Sequence, residues 1–101
     1  MGGLLGNPLS EKGSILSGGD ANNYIESGIY GVNAAGGSLT NFPPTSGEHL
    51  GELIVFKSAK GSAATGAPIL QLYVDYSLSF MSARVKWVNS WGSWKKLQFA
   101  Q

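Results

Sequence analysis

A chain of 101 residues with 43% hydrophobic residues, 13% charged residues and a formal net charge of +1 amounts to about one domain with material for a modest core. The charged share is about half the usual figure of roughly 25%, which argues against a charge-rich disordered tail, and the near-neutral balance leaves no basic footprint for nucleic acid. With no cysteine, a disulfide scaffold, a thiolate zinc site and a cysteine nucleophile are excluded.

Fifteen glycines, together with Ser, Asn and Thr, take over the solubilising role, as they do in many extracellular and viral β-proteins. No apolar run approaches the roughly 20 residues of a membrane span, so no membrane insertion is expected. The opening MGGLLGNPLSEKG lacks the basic n-region and long apolar h-region of a signal peptide. An extracellular role would need another route, such as release of an assembled particle at lysis.

Residues 1–19 carry no sustained period and are punctuated by Gly2, Gly3, Gly6, Pro8, Gly13, Gly18 and Gly19. They are expected to form a linker or lead-in, and residues 20–101 the domain. Asp20, Asn22 and Asn23 start a turn, and Ile29–Val32 reads as a strand. Ala34 to His49 contains three glycines and Pro43-Pro44, which leaves neither helix nor strand. A surface loop of that length is often functional. Glu52–Ala59 holds the consecutive run Leu53, Ile54, Val55 and Phe56, which suggests a strand buried on both faces. Lys60–Pro68 reads as a turn.

Ile69–Ser77 alternates: Leu70, Leu72 and Val74 are set against Gln71, Tyr73 and Asp75, the period of a half-buried strand. Leu78–Val88 alternates too, with Met81, Ala83, Val85 and Trp87 expected in the core and Ser82, Arg84 and Lys86 in solvent. The short gap around Ser77 makes these two strands a hairpin.

The three tryptophans, Trp87, Trp91 and Trp94, could share one face of a helix. However, Asn89-Ser90 is turn chemistry, and Gly92 and Ser93 are poor helix residues. The better reading is strand, turn, strand, with Trp87 ending one strand and Lys95–Phe99 forming the last, where Leu97 and Phe99 share a face. The fold class expected is all-β: a small antiparallel sheet or sandwich of about five or six short strands with long loops.

The landmarks in order are Asp20 with Asn22-Asn23, Gly28-Ile29-Tyr30, Asn41-Phe42-Pro43-Pro44, Gly51, Gln71-Leu72-Tyr73, Arg84, and Trp91-Gly92-Ser93-Trp94-Lys95-Lys96-Leu97. This series resembles the knob-type receptor-binding domains of phage tail fibres and R-type pyocin fibres, in which a G-x-Y strand and a closing W-x-x-W-x-x-L are typical. The likeness spans Asp20 to Gln98. It implies a homotrimeric module of a virion tail fibre, contacting other fibre segments and recognising a host cell-surface glycan or lipopolysaccharide. The same likeness also allows a trimerisation or spacing unit, or the carbohydrate-binding domain of a depolymerase.

Trp91 and Trp94 could stack on the apolar face of a sugar or close the core of the domain. Gln71, Tyr73 and Asp75 on one strand face Arg84 and Lys86 on the next. With Asn89 on the following turn they would form a polar, aromatic contact surface, or else a plain solvated face. The candidate ligand-binding set is therefore Gln71, Tyr73, Asp75, Arg84, Asn89, Trp91 and Trp94.

His49 in GEHLGE lacks the two-histidine spacing of a zinc site and is expected to be an exposed loop residue. No G-x-S-x-G elbow, no recognisable pair of opposed carboxylates and no phosphate loop is present. The expectation is a non-catalytic protein with no cofactor and no metal.

Overall fold

The computed structural model describes residues 10–45, 47–58, 68–77 and 80–98. The protein is all-β. Its strands are β1 (Glu11–Ile15), β2 (Gly28–Ala34), β3 (His49–Lys57), β4 (Ile69–Asp75), β5 (Phe80–Trp87), β6 (Ser90–Trp91) and β7 (Lys95–Gln98), and one 3-10 turn spans Ala21–Asn23. They form a single sheet in the order β1-β2-β3-β4-β5-β6, with β7 also paired to β5. The sheet is mixed: β1 runs parallel to β2, and the other pairs are antiparallel. The architecture is therefore one sheet rather than a sandwich.

Strand positions agree with the alternation of the sequence, and β4 and β5 are paired as the expected hairpin. Five expectations fall partly or wholly outside the described residues: the lead-in 1–9, the end of the strand Glu52–Ala59 at Ala59, most of the turn at Lys60–Pro68, the start of the strand Leu78–Val88 at Leu78 and Ser79, and the end of the last strand at Phe99. The lead-in differs from expectation where it is described. Glu11–Ile15 is a strand, and Ile15 is buried. EKGSI shows no alternation; pairing with β2 and burial of Ile15 in the core draw it into the sheet.

The main correction concerns phase. Gln71, Tyr73, Asp75, Ser82 and Arg84 point to the covered side of the sheet and are buried. Leu70, Leu72, Val74, Met81, Ala83 and Val85 are on the opposite face and only half-buried. The period of two was legible, but the side turned inward is the polar one. That side is tolerated because its polar groups bond to one another, which removes most of the cost of burying them.

The strand β3 alternates as well: Leu53 and Val55 are buried while Leu50 and Phe56 are exposed, so it is not buried on both faces. Trp87, expected in the core, is 65% exposed because it shares the open face with Val85. Leu97 is also exposed. His49, expected in solvent, begins β3 and is buried.

The covered side is closed by the 3-10 turn and the loop from Ala35 to Glu48. Ile15, Ala21, Val32, Phe42, Leu53, Val55, Ile69, Tyr73 and Phe80 form the core cluster. Asp20 caps the turn by accepting from Asn22 N at 2.9 Å, and it also accepts from Asn41 Nδ2 at 2.8 Å. Backbone bonds from Ala21 N to Thr40 O and from Thr40 N to Gly19 O tie turn and loop together. Asn41 takes a left-handed φ of 62°, which asparagine tolerates better than most residues.

Gly51 sits where β3 passes closest to β4. A Cβ there would lie 2.1 Å from Val74 O and 3.0 Å from Asp75 Cα, both backbone. Gly51→Ala should therefore force the β3–β4 ladder apart and cost about 1–3 kcal/mol or more, as core overpacking does. A denaturant titration checks this, and an unchanged midpoint would contradict the close approach.

Candidate ligand-binding site

Arg84 and Gln71 are register partners on β5 and β4, and the phase of the sheet sends both toward the 3-10 turn. Gln71 is completely buried. Its Nε2 donates to Ala21 O at 2.8 Å and Tyr24 O at 2.9 Å, while its Oε1 accepts from Arg84 Nε at 2.8 Å. It thus fastens the turn to the sheet and orients the arginine. Arg84 Nη2 donates to Asn22 Oδ1 at 2.8 Å.

Two rings bound the guanidinium. Its Cζ lies 3.8 Å from the Trp91 ring centroid and 4.9 Å from that of Trp94, well within cation–π range. The corner between β6 and β7 makes this possible. Both strands dock on β5, and Gly92 N still donates to Val85 O at 2.9 Å between them. Trp94 is held from the other side, its Nε1 donating to Asn41 O at 2.9 Å. Burial lowers the Arg84 pKa to about 10, opposed by the negative charge of Asp20, so the group stays cationic at neutral pH.

A cavity of about 600 Å³ opens beside these groups, and Asn22, Asn41, Pro44, Arg84, Trp91 and Trp94 are among its lining residues. That volume lies within the roughly 300–1,000 Å³ of small-molecule sites. Its walls offer ring faces, amides and one cation, and hence stacking, hydrogen bonding and charge attraction.

Of the seven sequence candidates, Arg84, Trp91 and Trp94 meet at this cavity, and Gln71 supports it from beneath. Tyr73 and Asp75 do not reach it. They belong to a second buried cluster, in which Tyr73 Oη donates to Asp75 Oδ1 at 2.8 Å and the Tyr73 ring meets Phe42, His49 and Phe80. Burial, and then the bond to Asp75, push the Tyr73 pKa upward. Burial alone would raise the pKa of Asp75, but the Ser77 hydroxyl and amide, with the Tyr73 hydroxyl, bring it below its ordinary value. His49 Nε2 donates to Pro43 O at 2.7 Å, and its Nδ1 has no partner among the described residues. Asn89 is exposed on the β5–β6 turn, away from the cavity lining.

Sequence reasoning did not place Asn22, Asn41, Phe42 or Pro44 in the site. The available signals were the cap-like Asp20-Ala21-Asn22 and the length of the loop around Asn41, but neither says which strand they meet. No family model, curated protein or solved structure matches this chain.

Proposed function

We propose that this chain is a non-catalytic receptor-binding module of a phage or phage-like tail fibre, and that it holds a host cell-surface glycan in the Arg84–Trp91–Trp94 cavity. The observation that supports this reading best is the guanidinium packed against two tryptophans at an open, amide-lined cavity. Rings, amides and a cation are the chemistry that a sugar's apolar face and hydroxyls call for. The isolated domain, added at saturation, is expected to block adsorption of the particle to its host and to bind on a glycan array. Undiminished adsorption would count heavily against this role.

A second reading, assembly of fibre segments, is favoured by the open face of the sheet. Leu50, Phe56, Trp87 and Leu97 are exposed there, around the half-buried row Ile54–Leu72–Ala83. The carboxylate of Glu52 on this face is engaged by the Tyr76 hydroxyl. Contiguous apolar surface of this kind marks an interaction site, and three copies of the chain packed through it would leave the cavity on the other side accessible. Several tips acting together raise apparent affinity by about 10²–10⁴. The solution mass is expected near three chains, and Ile54→Lys with Leu72→Lys should reduce it to one. A wild-type mass of one chain would remove the trimer from the proposal.

A further inference from the structure

Resting on the glycan reading, we infer that the cavity selects an acidic sugar whose carboxylate pairs with Arg84. Buried charges are normally paired, yet Arg84, only 6% exposed, has no carboxylate within ion-pair distance among the described residues. The only ion pair among the described residues joins Lys57 to Glu26 at the surface. The acid whose charge acts on Arg84 is Asp20, and its Oδ1 already accepts from the Asn22 amide and the Asn41 side chain.

The two acceptors that do touch the guanidinium, Gln71 Oε1 and Asn22 Oδ1, are neutral. They fix its plane and supply no contacting negative charge. An arginine carries five N–H donors, and two are used in these bonds. Among the described residues nothing accepts from the rest, and Arg84 lines the cavity. Trp91 covers one side of the guanidinium at 3.8 Å and shields it from water, which strengthens its attraction for an anion. A planar carboxylate matches the remaining fork of donors. Asn22 and Ser93 in the same wall can reach the hydroxyls of the ring that carries it.

The test uses the full chain and titrates Trp emission with oligomers of galacturonate, glucuronate and sialic acid, each beside its methyl ester. At least one acidic oligomer is expected to bind ten-fold or more tighter than its ester, with the preference fading as salt rises. Because replacing Arg84 also weakens the network that holds the 3-10 turn to the sheet, Asn22→Asp is the decisive variant. It places a carboxylate where Oδ1 now stands, 2.8 Å from Arg84 Nη2. The variant should be at least as stable as the wild type and lose most of the acid preference. Retention of that preference in Asn22→Asp would overturn the pairing with Arg84. Equal binding of acids and esters, or binding of neutral glycans alone, would overturn the inference and leave the glycan reading standing. Failure to bind any glycan, acidic or neutral, would sink both.

Discussion

Replacing Arg84 by methionine should lower the stability of the domain by about 2–4 kcal/mol and abolish the proposed glycan binding. Methionine keeps the length of the side chain and fills much of its space, so the loss reports the guanidinium itself. Without it, Gln71 Oε1 is stranded in a fully buried position, and the Asn22 side chain loses the contact that ties the 3-10 turn to β5. The stacking with Trp91 and Trp94 disappears as well, and a desolvated cation–π contact is worth about 2 kcal/mol. Arg84→Lys retains the charge but cannot serve two acceptors from a fixed plane. It should fall between wild type and methionine in stability and bind weakly. Chemical denaturation followed by Trp emission reads both variants. A methionine variant of wild-type stability would show that the network carries no weight.

Tyr73→Ala should be the more damaging change, at about 3–5 kcal/mol for removal of a buried aromatic ring. Against a total of about 5–15 kcal/mol for a domain, that removes from about a fifth of the stability to nearly all of it. The ring is completely buried and packs on Phe42, His49 and Phe80, so its loss also frees the loop that carries Phe42. Tyr73→Phe separates the ring from the hydroxyl. It preserves the packing but takes one donor from Asp75, whose pKa is lowered in the folded state by Ser77 and Tyr73 against the opposing effect of burial. A carboxylate with a lowered folded pKa contributes stability above its unfolded pKa of about 3.9, and that contribution is lost as pH falls through the folded value. The Phe variant should therefore match the wild type in overall architecture and begin to unfold at a higher pH on acidification. Coincident acid-unfolding curves would contradict this.

The two central strands were readable because Leu70–Asp75 and Met81–Trp87 alternate without interruption. Which set of side chains faced inward was not readable. Leu70, Leu72 and Val74 are a coherent apolar row, and in a lone sheet such a row is normally the buried one. Here Gln71, Arg84 and Asp75 have partners waiting in Ala21, Tyr24, Asn22 and Ser77. The partner in the Arg84–Asn22 bond lies 62 residues away in the chain, so no local pattern announces it. The same distance effect hid Asn41, which meets Trp94 across 53 residues. Arg84, Trp91 and Trp94 were legible because β5, β6 and β7 follow one another directly. His49 was misread because a short polar stretch, GEH, leads straight into a strand whose first residue turns inward.

The two outer margins of the sheet constrain how copies can meet. At one margin β1 is irregular, with a register shift between Glu11 and Gly13 and a left-handed φ of 141° at Gly13. At the other, β6 and β7 sit end to end on β5 with Gly92 and Ser93 in the break, so no long run of free N–H and C=O groups is offered. Among the described residues, strand-to-strand addition of further molecules, the route to ladders and fibrils, meets only a short or broken template at each margin. Two copies would therefore meet more readily broad-side than edge to edge, a contact that can close into a finite particle instead of propagating indefinitely.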